Sequence, residues 1–180
     1  MDEPLFAQLQ ALGAGEFQHL NGSLATHLHG TEALLRQWGA RPALCRAGLY
    51  HAVYGTDGYQ PALLDVAHRQ HIQSLLGEEA EGLAYLYGAA DRGRFYPRIG
   101  TPAQCLFSDR FTHTDHEISP GQLADLCELV MANELEIAAA SDAFRAQYGA
   151  ALSGLFERMQ GLVSDAAFGS YRAILQPMER

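Results

Sequence analysis

From Leu24 onward the apolar residues return every three or four positions, a period that suits helices and not sheets. Leu24, Leu28, Thr31, Leu35 and Trp38 form one stripe, and Gly39 closes it. "RPALCRAGLYHAVYG" restarts the pattern with Pro42 in the first turn, where a missing N–H is no loss, and Gly55 ends it. Pro61 then opens "PALLDVAHRQHIQSLLG", which stops at Gly77. "EEAEGLAYLYGAAD" follows with its acids at the positive end of the helix dipole. Ser119, Pro120 and Gln122 spell a capping box ahead of "LADLCELVMANELEIAAA". A long helix is expected from about Ser141, with the stripe Phe144, Tyr148, Leu152, Leu155, Met159 and Leu162, and Ser164 and Asp165 cap a short last one. No stretch alternates as a strand would. Residues 92–118 alone lack a period and hold two prolines and two glycines. The expected architecture is all-α, one domain over residues 1–180, with one long irregular loop at about 92–118.

Composition narrows the partners. A chain of 180 residues can bury roughly two-thirds of its unfolded surface, enough for one real core. Its formal charge is −9, and its twelve basic residues are all arginine. Duplex binding rests on phosphate neutralisation, so no nucleic-acid partner is expected. Cys45, Cys105 and Cys127 are odd in number and form no CxxC pair, which fits reduced, packed thiols. The opening "MDEPLFAQLQALG" is acidic where a signal peptide is basic. No apolar run reaches the roughly 20 residues of a membrane helix. A cytoplasmic protein without a membrane partner is expected, and a homodimer is compatible with the sequence.

The histidines divide by face. His27 lies beside the Leu24–Leu35 stripe and faces inward, whereas His29 is about 200° round the helix and is expected in solvent. His51 continues the face of Leu44, Ala47 and Gly48, where small residues let a neighbouring helix come close. One inward histidine is ordinarily a core residue; two on adjacent helices can meet and offer imidazole nitrogens to a metal. Asn133 shares a stripe with Leu126, Val130 and Ile137, so it too is expected to be buried and to need partners near His27 and His51. His68 and His71, three apart, read as a polar helix face, and Asp91–Arg92 as a surface ion pair.

These residues carry a family likeness. "HLHGTEALLRQWGARPALCRAGLYHAVYGT" resembles the first half of the HD-domain superfamily of metal-dependent phosphohydrolases, most closely the hydrolase domain of the guanosine tetraphosphate pyrophosphohydrolases. There a first histidine is followed, at about the spacing of His27 and His51, by "LLHD". "HIQSLLGEEAEGLAYLYG" is similar to the family's "FGEEVA.LV.GV", and "ELVMANELE" to its "KLADRL". The likeness spans roughly residues 19–138. It implies an HD-like helical bundle, with His27 and His51 at metal-binding positions. Ala52 replaces the aspartate after the second histidine, and Asn133 the last metal-binding aspartate. Gly55 and Thr56, with Asp57 one step on, stand where the pyrophosphohydrolases have an acidic pair that positions water.

The expected metal set is therefore His27, His51 and Asp57, holding one divalent transition metal (Mn, Fe or Zn), or none if the lost carboxylates have cost the site. Tyr54, Thr56 and Asn133 are the candidate catalytic residues. Arg92, Arg94, Arg98 and Arg110 crowd the irregular segment of an acidic chain, and arginine clamps phosphate or carboxylate bidentately. Of these, Arg94, Arg98 and Arg110 are the candidates for binding a small anionic molecule, with pairing to acidic neighbours as the alternative. The leading expectation is a metal-dependent hydrolase of a small phosphorylated or nucleotide-like molecule. The alternative is a non-catalytic module binding a metabolite or a protein partner. A third reading, an iron oxygenase, is confined to a mononuclear form, because Ala52 removes the bridging carboxylate of a dinuclear one.

Overall fold

The computed structural model describes residues 3–19, 22–59 and 62–176, and what it describes is mostly helical. In chain order these are α1 (Glu3–Ala11), β1 (Gln18–His19), β2 (Gly22–Ser23), α2 (Leu24–Gln37), α3 (Pro42–Tyr50), α4 (Arg69–Leu76), α5 (Glu78–Ala89) and α6 (Arg92–Phe95). There follow β3 (Leu106–Asp109), β4 (Thr114–Glu117), α7 (Pro120–Ala140), α8 (Asp142–Arg158) and α9 (Asp165–Leu175). Most of the long helices start where the sequence supplies an acceptor. Ser23, Ser141 and Ser164 take the N–H of Thr26, Phe144 and Ala167 at 3.2, 3.1 and 3.2 Å. At α7 the capping box closes in both directions, Ser119 Oγ accepting from Gln122 N (3.1 Å) and Gln122 Oε1 from Ser119 N (2.9 Å). No side chain caps α5; Glu78, Glu79 and Glu81 instead crowd its first turn.

Two expectations need correction. The helix expected from Pro61 starts later: Pro61 lies outside the described residues, and Asp65 caps a 3-10 turn (Val66–His68) that leads into α4. The reason is local, since Leu63 and Leu64 both donate their N–H to Val53 O at 2.9 Å and are held across the turn that follows α3. The segment 92–118 is not irregular throughout, and the chain is not strictly all-α. It holds α6, a 3-10 turn (Tyr96–Arg98) and the antiparallel hairpin β3–β4, paired from Leu106↔Glu117 to Asp109↔Thr114. β3 is largely buried and β4 exposed, and four residues are too few for alternation to register in sequence. Asp109 fixes the hairpin loop by accepting from Phe111 N and Thr112 N at 2.8 and 3.0 Å. His113 there takes a left-handed φ of 57°.

The core is organised on α7. Leu123, Leu126, Cys127, Leu129, Val130, Met131, Ala132 and Leu135 bury nearly its whole circumference, as expected of a helix that is apolar all round. α2, α3, α5, α8 and α9 pack against it. A second apolar cluster joins α1, α2, α3 and α4 through Leu9, Leu28, Leu49, Tyr50 and Ile72. Gly48 brings α3 against α2, where a β-carbon would stand 3.7 Å from Glu32 Cα and 2.4 Å from Leu35 Cδ1. Gly88 similarly brings α5 against the turn after α3, its missing β-carbon 2.9 Å from Gly55 O. Among the described residues no helix is long and apolar enough to cross a membrane.

Two glycines of one helix should respond oppositely to alanine. Gly82 has no neighbour within 4 Å of a built β-carbon, so Gly82→Ala should stabilise by roughly 0.5–1 kcal/mol through helix propensity. Gly88→Ala must push a backbone carbonyl away and should cost about 1–3 kcal/mol. Urea unfolding of both variants checks the sign; a stabilised Gly88→Ala would mean that α5 does not pack so closely on the turn.

Candidate functional site

α2 and α3 bring His27 and His51 together, with ring centroids 5.2 Å apart and planes at 85°. His51 sits at the C-cap of α3, where Nδ1–H donates to Gly48 O at 2.7 Å, so Nε2 is the acceptor nitrogen of its neutral form. Its ring meets Tyr87 of α5 edge-on, with centroids 4.8 Å apart. His27 is held from α7. Its Nδ1 lies 2.5 Å from Glu136 Oε2 and its Nε2 2.9 Å from Asn133 Oδ1. Residues three apart on a helix share a face, so α7 presents both oxygens to one ring. Gly30 makes room for this, since a β-carbon there would stand 2.8 Å from the Glu136 side chain.

The chain of polar contacts runs on from Asn133. Asn133 turns its side-chain oxygen to His27, and Glu134 follows it directly in α7. Burial raises the Glu134 carboxyl above its ordinary range, while Arg92, His27 and Asn133 pull it the other way. Arg92 Nη1 reaches Glu134 Oε1 at 3.4 Å, and Nη2 donates to the Tyr87 hydroxyl at 2.9 Å. The Arg92 main-chain N–H donates to Asp57 Oδ2 at 3.0 Å. Glu136, His27 and Asn133 thus form one hydrogen-bonded group, and Glu134, Arg92 and Asp57 form a second that starts at the next residue of α7 and reaches the turn after α3.

The structure gathers some candidates and separates others. His27, His51 and Asn133 meet, and Asp57 joins through Arg92. Thr56 is buried in the same turn, its backbone exchanging two 3.1 Å bonds with Tyr59. Tyr54 points elsewhere, its hydroxyl donating to Glu81 Oε1 at 2.9 Å. Glu81 also takes Arg69 Nε (2.7 Å), Arg69 Nη2 (2.9 Å) and Gln73 Nε2 (3.1 Å), and so forms a separate polar cluster. Arg69 lies 3.7 Å over the ring of Tyr85, whose hydroxyl donates to Asp109 at 2.7 Å. Arg94 and Arg98 brace the hairpin, reaching Asp115 Oδ2 at 3.0 and 3.2 Å, and Arg98 also bonds Leu106 O at 2.7 Å. Arg110 donates from Nε to Gly88 O at 2.7 Å and lies 4.3 Å over the Phe111 ring.

Other placements depart from expectation. His29 is half-buried against Phe6, with ring centroids 5.7 Å apart, and not simply in solvent. Asp91 forms no surface pair with Arg92; it caps α6 by accepting from Arg94 N at 3.0 Å, and the Arg92 side chain turns inward. His68 and His71 are exposed. Sequence reading missed Glu134 and Glu136, although a signal existed: they are the two acids of "LVMANELEIAAA", an otherwise apolar turn sequence with Asn133 beside them. Buried charges persist only when paired, so acids inside such a stretch mark buried partners. Among the described residues no three His, Cys, Asp or Glu side chains converge into a group that could hold a metal ion.

The model of one family, described as Domain of unknown function (DUF6817), matches residues 8–92, just under half of the chain. That span includes His27, His51 and Asp57 but neither Asn133 nor Glu136. No curated protein and no solved structure matches.

Asn133→Leu keeps the bulk and removes the buried acceptor of His27 Nε2. Its expected cost is roughly 2–3 kcal/mol in urea unfolding, and a neutral result would mean the network is not closed in solution. Alkaline behaviour follows from Tyr85, which burial and its bond to Asp109 push up to about 12. Its folded value is above its unfolded one, so its contribution is complete below about pH 10 and is lost as the pH rises to about 12. Urea unfolding of Tyr85→Phe and the parent between about pH 10 and pH 12 checks this: the parent should lose more stability across that window.

Proposed function

We propose that this chain is a divergent HD-like helical protein in which a hydrogen-bonded network takes the place of a metal centre, and that it acts as a non-catalytic module binding a small anionic metabolite. The observation that carries this reading is the engagement of both His27 nitrogens by side-chain oxygens of α7. A metal takes an imidazole lone pair, and a nitrogen donating to Glu136 or Asn133 has none to give. Ala52 and Asn133 also supply no carboxylate where the HD resemblance expects one, and hard cations need that charge. The convergence of His27, His51 and Asn133, far apart in sequence, supports the HD-like part of the reading.

The hydrolase alternative requires one nitrogen of His27 to leave its side-chain acceptor, Glu136 or Asn133, which breaks a satisfied contact inside the bundle. Anion binding, in turn, draws support from the arginines beside the network, Arg92 and Arg110 above all.

Elemental analysis of tag-free protein tests the proposal, beside His27→Ala and His51→Ala. The expected result is no stoichiometric transition metal in the parent, including after loading with Mn, Fe or Zn and dialysis. About one equivalent of metal, lost in both variants, would overturn it and restore the hydrolase reading.

A further inference from the structure

The middle of α5 holds a glycine that the packing does not require. Glycine inside a helix is destabilising relative to alanine, yet a β-carbon built on Gly82 would meet nothing within 4 Å. The space it leaves belongs to a groove of about 530 Å³ between α4, α5, the start of α7 and Arg41. That size suits a small molecule. Three side chains on its walls are each fixed at one end by the fold. Arg69 gives Nε and Nη2 to the buried Glu81 and lies 3.7 Å over the Tyr85 ring, so Nη1 is the nitrogen that remains for a ligand. Gln73 donates from Nε2 to Glu81 at 3.1 Å and keeps Oε1 as an acceptor. Gln122 Oε1 accepts from Ser119 N at 2.9 Å, which leaves Nε2 as a donor. Arg41 is held by Glu79 and Asp125 together. Glu78 also lines the groove; it is exposed, and among the described residues its carboxylate makes no ion pair.

We propose that this groove binds a free α-amino acid, with its ammonium on Glu78 and Gln73 Oε1 and its carboxylate on Arg69 Nη1 and Gln122 Nε2. The groups that remain are two acceptors, one of them charged, and two donors, one of them charged, so they match a molecule carrying both charges. One arginine, Arg41, serves two carboxylates, so the groove keeps a net negative charge and the ammonium is the stronger anchor. The fold already fixes Arg69, Gln73 and Gln122, so binding costs little further side-chain order. The absent side chain at Gly82 lets a ligand lie against the helix backbone. None of the residues around His27 lines this groove, so the site goes beyond the reading of that group and is independent of whether it holds a metal.

The test is nitrogen-15 NMR of the full chain, following Arg69 Nε–Hε and the side-chain amides of Gln73 and Gln122. Each common L-amino acid is added singly at constant pH and ionic strength, and sodium acetate and methylammonium chloride serve as the two half-ligands. Saturable shifts at all three side chains are expected for at least one amino acid, at concentrations where neither half-ligand moves them. Glu78→Gln should weaken that binding about tenfold, as loss of one charge-assisted contact does. Gly82→Leu should remove it while the urea midpoint stays or rises, because the new side chain enters open space on a helix. If Gly82→Leu does not fold, Glu78→Gln decides, since that carboxylate is exposed. Shifts with no amino acid, equal shifts with acetate or methylammonium alone, or binding that survives the substitutions would overturn the proposal.

Discussion

A buried imidazole must be satisfied at both ring nitrogens, and much of this interior serves that demand. His27 is 4% exposed, so water cannot do the work. α7 does it with Asn133 and Glu136, one turn apart, and the requirement spreads outward from there. Asn133 turns its oxygen to His27, and Glu134 is the next residue of the same buried helix. Glu134 tolerates burial because Arg92 stands opposite, and Arg92 is fixed by Tyr87 and by Asp57. Small residues make the geometry possible, with Gly30 admitting Glu136 and Gly48 drawing α3 onto α2. The result is a polar seam through an apolar bundle, in which removing one member exposes the next to the full cost of desolvation.

A second polar cluster does different work. Glu81 is fully buried, yet Arg69, Gln73 and Tyr54 supply it with four hydrogen bonds. It joins α4 to α5 and to the end of α3, where no long apolar face is available for the short α4. Through Tyr85 and Asp109 it continues into the hairpin loop. The hairpin is braced in turn by Asp115, which accepts from Ser108 at 2.7 Å and from Arg94 and Arg98. Arginines that look in sequence like a ligand clamp are here the fasteners of a small sheet.

The helices were legible because their signals are local. Caps at Ser119 and Ser164, the start near Ser141, and the stops at Gly39 and Gly77 depend on residues a few positions apart. The inward turn of His27, His51 and Asn133 was legible for the same reason, since a helical stripe assigns each a face. What was not legible depends on partners distant in the chain. The late start of α4 comes from Leu63 and Leu64 bonding back to Val53. The hairpin in 92–118 is too short for its alternation to show. Tyr54 shares a neighbourhood with His51 in sequence but turns to Glu81, and only packing decides that. The acids of α7 could have been caught, because a carboxylate in so apolar a run announces a buried partner.

The central claim concerns the two nitrogens of one ring. A long-range proton–nitrogen-15 spectrum of the His27 imidazole, assigned by its loss in His27→Ala, tests it most directly. The account predicts that both Nδ1 and Nε2 carry protons in slow exchange with solvent, held by Glu136 and Asn133. A bare, strongly deshielded nitrogen at His27 would contradict it, because that nitrogen would be the lone pair a metal needs.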